Sequence, residues 1–179
     1  MQNQQTQNGC SASLVAVKSP QLKVSKDGVY RAEPGTEFSV NAGNQHSSKQ
    51  PFLAVVRMAN DPITGSETTG ILLESNTQQE ISHWLYSNKK PFAFFMDASG
   101  QLKKAKKETV IVTFYHVVEK ANGQKTTSMT ALTLKNDQIA NRKSVQALNQ
   151  PVATIELPYA NPTEWDRINQ VNLASTSKR

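Results

Sequence analysis

Four of the twenty cationic residues of this chain fall within five positions, Lys103, Lys104, Lys106 and Lys107. A cluster this dense can serve as a contact for phosphate or another polyanion, in which case affinity would fall steeply with salt. It can equally be a solvated loop whose charges keep a strand end from pairing with strangers. The other residue types able to do chemistry are scattered. His46, His83 and His116 stand more than thirty positions apart with no neighbouring Cys or second His, so no metal set is expected from spacing. For His116, flanked by Tyr115, burial would favour a neutral imidazole. The one cysteine, Cys10, follows a polar stretch in which a thiolate would have no fixed base beside it.

No Gly-x-Ser-x-Gly elbow, P-loop or Gly-x-Gly-x-x-Gly fingerprint occurs, and no pair of carboxylates stands at hydrolase-like spacing. The expectation is therefore a non-enzyme without a cofactor. Trp84 and Trp165 are candidate interface anchors, because Trp is enriched at binding hot spots. The competing reading makes each a plug that closes an open end of the fold.

The elements that must position these residues are mostly strands. Thr109 to Val118 is apolar on both alternate faces. Val110, Val112, Phe114, His116 and Val118 share one, and Ile111, Thr113, Tyr115 and Val117 the other. Such a segment belongs in the middle of a sheet, covered on both sides. Further strand candidates are 13–17, 22–24, 29–31, 36–40, 52–58, 92–96, 126–134 and 152–157, separated by Pro, Gly and Asn turns. Lys26-Asp27-Gly28 and Asn122-Gly123 have hairpin turn chemistry, and the second predicts that 109–118 pairs directly with 126–134. Residues 135–150 are too sparsely apolar to define a face.

Two short helices are expected. Thr77-Gln-Gln-Glu80 has capping-box spacing before Ile81, Trp84 and Leu85, which predicts a helix over about 77–87. Asn161-Pro162 offers an N-cap followed by Pro at the first helical position, with Trp165 and Ile168 on one side. The implied fold is all-β, an antiparallel β-sandwich or jelly-roll barrel of about eight or nine short strands with two short helices. A polar N-terminal arm (1–11), one sandwich domain (12–172) and a polar basic tail (173–179) complete the organisation.

Composition narrows the function classes. Of 179 residues 37% are hydrophobic and only 19% charged, with a formal net charge of +6. The surface attracts polyanions in general, but the cations outside 103–107 are spread thinly and lack interleaved aromatics, unlike a dedicated nucleic-acid module. No stretch approaches the ~20 apolar residues that span a bilayer, so no membrane span is expected. Residues 1–9 have no apolar core of a signal peptide, and Cys10 is read as an ordinary thiol despite the small residue before it.

These features favour a structural subunit of a larger assembly, with a virus or phage particle as the setting, joined by self-association or other assembly proteins and with nucleic acid reachable through its basic loops. An exported immunoglobulin-like binding or scaffold module of a bacterial envelope, periplasmic after loss of a leader, is the second reading. A small polyanion-binding domain is the third.

Overall fold

The computed structural model describes residues 4–18, 20–119, 123–136 and 138–177. Among them are twelve strands and one helix: β1 (Gln5–Gln7), β2 (Cys10–Ala16), β3 (Tyr30–Arg31), β4 (Phe38–Asn44), β5 (Phe52–Met58), β6 (Asp61–Pro62), β7 (Thr69–Leu73), β8 (Thr77–Ile81), β9 (Lys107–Val118), β10 (Thr126–Lys135), β11 (Gln138–Leu148), β12 (Ala153–Ala160) and α1 (Pro162–Ser177). The fold is an all-β sandwich. One sheet has the order β1-β2-β4-β8, and the larger has the order β3-β12-β9-β11-β10-β7-β5-β6 with an added β9–β5 pairing.

The two sheets close over one core because their strands alternate. Cys10, Ala12 and Leu14 of β2 and Phe38, Val40 and Ala42 of β4 point inward from one side. Phe52, Ala54 and Val56 of β5, Val110, Val112 and Phe114 of β9, and Ile155, Leu157 and Tyr159 of β12 meet them from the other. In β12 the intervening Thr154 and Glu156 are exposed, the period-two pattern of a half-buried strand.

The larger sheet also curls on itself. β9 pairs with β5, β5 with β7, β7 with β10, β10 with β11, and β11 returns to β9 through Val117↔Ala147 and Val118↔Gln146. These five strands form a closed ring around a second, smaller core of Leu53, Val55, Met129, Ala131 and Ala147. Closure removes sheet edges where the ring is complete, but β11 meets β9 only at Gln146 and Ala147. Gly70 makes the β7–β5 contact close: a Cβ there would lie 3.2 Å from the Ala54 carbonyl oxygen and the Leu53 Cβ. β9 thus belongs to both units, and its central place agrees with its two-sided apolar pattern.

Several expectations change, among them the strands expected over 22–24 and 92–96, where only isolated bridges such as Val24↔Tyr30 and Glu37↔Ala93 form. First, the described residues hold one helix, because 77–87 does not form one. Thr77–Ile81 is an edge strand whose register runs from Thr77↔Asn44 to Ile81↔Val40. The Glu80 carboxylate, which would have completed a capping box, instead accepts the Ser39 hydroxyl at 2.5 Å across the sheet. Ladder pairing and burial of Ile81 outweigh a cap that depends on four local residues.

Second, β9 and β10 are not a hairpin. Of the expected Asn122-Gly123 turn, Asn122 lies outside the described residues. β10 instead turns back into β11, with Asn136 at φ 52° beyond the Lys135↔Gln138 pair. β11 then separates β10 from β9. Third, the unassigned 135–150 region is that eleven-residue β11. Its apolar residues are sparse because Ala140 through Ser144 are exposed on both faces.

The described part of the polar N-terminal arm, residues 4–11, is held against the body. β1 pairs with β2, the Thr154 backbone N–H donates to Gln7 Oε1 at 2.7 Å, and Asn8 Nδ2 donates to the Val152 carbonyl at 2.8 Å. Gln7 and Asn8 thus tie the polar arm to the sandwich through backbone partners. At the other end, Asn161 Oδ1 accepts the Glu164 N–H at 2.8 Å, so the Asn-Pro start of α1 holds as read. Lys178 and Arg179 of the basic tail lie outside the described residues.

Candidate functional site

The lysine cluster is split by the fold. Lys103 Nζ lies 3.2 Å from Glu108 Oε1, and Glu108 is nearly enclosed, its side chain 8% exposed. The other oxygen of Glu108 accepts the Tyr159 hydroxyl at 2.5 Å. Burial first, and then the Glu108 carboxylate, push the Tyr159 phenol far above its ordinary range. Lys103 is therefore committed to neutralising a buried carboxylate at the rim of the aromatic core, where Tyr159 packs on Phe94 and Phe95.

Lys104, Lys106 and Lys107 are exposed. The Lys106 carbonyl accepts the Asn161 N–H at 2.9 Å, which places this segment against the start of α1. Arg167 holds the Glu164 carboxyl below its usual range by hydrogen bond and charge, and Lys106 and Lys107 add to the effect. Lys106, Lys107 and Arg167 thus gather around the first turn of α1.

The two tryptophans are placed differently. Trp84 is 2% exposed and lies in the sandwich core, edge-on to Phe92 with ring centres 5.6 Å apart. It stands in the segment after β8, its backbone N–H bonded to the Lys90 carbonyl. Trp165, on α1, donates Nε1–H to the Val29 carbonyl at 2.8 Å and is half-buried.

The histidines are not assembled into a ligand set. His46 and His116 pack edge-on against Phe52, at 5.2 and 5.6 Å between ring centres. Desolvation, and secondarily His46, lower the His116 pKa. Its Nε2 is buried with no hydrogen-bond partner. His83 Nδ1 is 2.8 Å from the Ser82 hydroxyl. Among the described residues no group of three or more His, Cys, Asp or Glu could hold a metal ion. Cys10 is buried in β2, and burial pushes its thiol up to about 11, so it is not poised as a nucleophile.

A further site was not singled out from the sequence. At the mouth of the five-stranded barrel, a recess of about 200 Å³ is lined by Glu67, Thr68, Tyr115, Thr127, Met129, Leu148 and Asn149. Tyr115 stands on the face of β9 turned toward the small core, and it is only half-buried. The signal available in the sequence was the polar and aromatic content of that face, Thr113 and Tyr115, against the purely apolar Val110, Val112 and Phe114. What it could not supply was the ring that brings residues 67, 115, 129 and 148 together.

Comparison of the chain with protein-family models, with curated proteins and with solved structures finds no match. No helix among the described residues is long and apolar enough to cross a membrane.

Proposed function

We propose that this chain is a non-enzymatic structural subunit of a larger assembly, joined to its neighbours along strand edges, with a virus or phage particle as the setting. The observation that carries the reading is β11. On one edge it pairs with β10 throughout, and on the other it meets β9 only at Gln146 and Ala147. Residues 138–145 thus present a strand edge, and Ala140 through Ser144 are also exposed on both faces.

Backbone groups on such an edge are a template for a neighbouring strand. Arg142 and Lys143 discourage indiscriminate pairing and favour a partner strand that carries carboxylates. The net charge of +6 suits the same acidic partners, or packaged nucleic acid.

Sedimentation over a range of concentrations, combined with amide hydrogen exchange, tests the reading. Association should slow exchange within 138–145. A chain that stays monomeric at every concentration, with those amides exchanging fast throughout, overturns it.

A second reading, a polyanion-binding domain, is supported by the exposed Lys104, Lys106 and Lys107, the last two near the Glu164–Arg167 pair. It predicts binding to phosphate polymers that weakens steeply with added salt. Salt-independent binding, or none, removes it.

A further inference from the structure

The recess at the barrel mouth has a floor and a rim of different chemistry. Its floor is apolar, made by Tyr115, Met129 and Leu148, with the tyrosine half-exposed. Its rim is polar, and each rim group is already oriented by a second residue. Glu67 is held by Arg57 at 3.1 Å, and Arg57 is itself anchored on the Asn60 carbonyl at 3.1 Å. The Thr68 hydroxyl is 3.1 Å from that of Ser66. Asn149 Oδ1 accepts the Thr127 hydroxyl at 2.5 Å, which leaves the Asn149 Nδ2 to donate. Groups held in this way bind without first paying to be ordered.

Charge selects among ligands. Among the described lining residues the one charged group is the Glu67 carboxylate, and its pairing with Arg57 leaves the recess with no net charge to draw a phosphate, although the chain as a whole is basic. Arg57 already neutralises Glu67, so a cation gains little there. A neutral ligand remains, with one apolar face to lie on an aromatic ring and hydroxyls around its perimeter to meet an amide, two threonines and a carboxylate. We propose that the barrel mouth binds a single pyranose ring of a neutral glycan.

A second recess, of about 420 Å³, is lined by Gln124, Lys125 and Gln150 and shares Leu148 and Asn149 with the first. It gives a second ring somewhere to go, so a disaccharide binds more tightly than its monosaccharide. This site is separate from the β11 edge and does not depend on assembly.

The test is saturation-transfer NMR on the full chain with methyl glycosides of glucose, galactose, mannose and N-acetylglucosamine at millimolar concentration. Their β-linked disaccharides, and binding to immobilised polysaccharide, form separate arms that distinguish a free sugar from a polymer. At least one sugar should bind, independently of salt. Tyr115→Ala should weaken it about tenfold or more, the equivalent of one good contact. Tyr115→Phe should retain binding and Asn149→Ala should reduce it. Should Tyr115→Ala not fold, Asn149→Ala and Glu67→Gln on the rim decide the question. The proposal is overturned when no sugar in the panel binds, when binding survives the rim variants unchanged, or when it falls with salt.

Discussion

β9 divides two interiors that are finished differently. Its even-numbered face, Val110, Val112 and Phe114, is sealed at 0% exposure against aromatic and aliphatic side chains from both sheets. On its odd-numbered face, Ile111, Thr113, Tyr115 and Val117 stay half-buried, and Tyr115 and Val117 pack against the core of the five-stranded barrel. The sandwich side has two full layers to fill it. The barrel side is lined by small residues such as Ala131 and Ala147 and opens at a mouth. One strand therefore serves stability on one face, and on the other offers partly dry surface with polar groups at its margin, the combination that small-ligand sites use.

The largest expected effect is on the sealed face. Phe114→Ala should destabilise the protein by about 3–5 kcal/mol, through lost transfer energy and the cavity left behind. Its neighbour Tyr115→Ala should cost roughly 1–2 kcal/mol, within the ordinary range for point substitutions. Urea unfolding of the two variants measures the contrast directly, and equal losses would mean that the barrel core is as tightly filled as the sandwich.

Next comes the buried pair at the sandwich rim. Tyr159→Phe removes the hydroxyl on Glu108 and leaves one carboxylate oxygen without that donor in a nearly closed site. The expected loss is about 1–3 kcal/mol, read by the same unfolding experiment. A negligible change would show that solvent reaches Glu108.

A smaller effect should come from His116. Its folded-state pKa lies below the ordinary value, so on acidification the unfolded chain takes up the proton first. Stability from this group is complete above about pH 6.5 and is lost as pH falls from there through the folded-state value. The melting temperature should drop over that window, and His116→Leu should flatten the dependence. A melting curve that is flat in the parent protein, or unaltered in the variant, would assign the acid sensitivity elsewhere.

The smallest effects belong to the exposed lysines. Lys104→Ala, Lys106→Ala and Lys107→Ala should each stay within about 0.5 kcal/mol of the parent, as surface substitutions do. Lys103→Ala should exceed all three in the same melting series, because it strands the Glu108 carboxylate. Four equal values would mean that the cluster acts as one solvated loop.

Much of the β framework was legible because it rests on local pattern. Phe52 to Met58 was read with its observed bounds, and the central place of 109–118 followed from apolar residues on both faces. The start of α1 was legible because an N-cap and a proline act within one turn. The region 77–87 was misread because its helix signal was also local, while the competing ladder to β4 joins residues nearly forty positions apart. The same limit hid the barrel. Nothing near Tyr115 in sequence points to Glu67 or Leu148.

The lysine cluster shows the division within five residues. Composition and spacing alone identified a dense positive segment entering a strongly apolar strand. Only the tertiary structure separated Lys103, drawn onto a buried carboxylate that also holds Tyr159, from three lysines left in solvent. By itself the sequence determined which residues alternate, turn and cap, since those preferences are set by a residue and its near neighbours. Which faces were sealed, which were left open and which charges were paired depended on distant strands meeting, and that was decided by the chain as a whole.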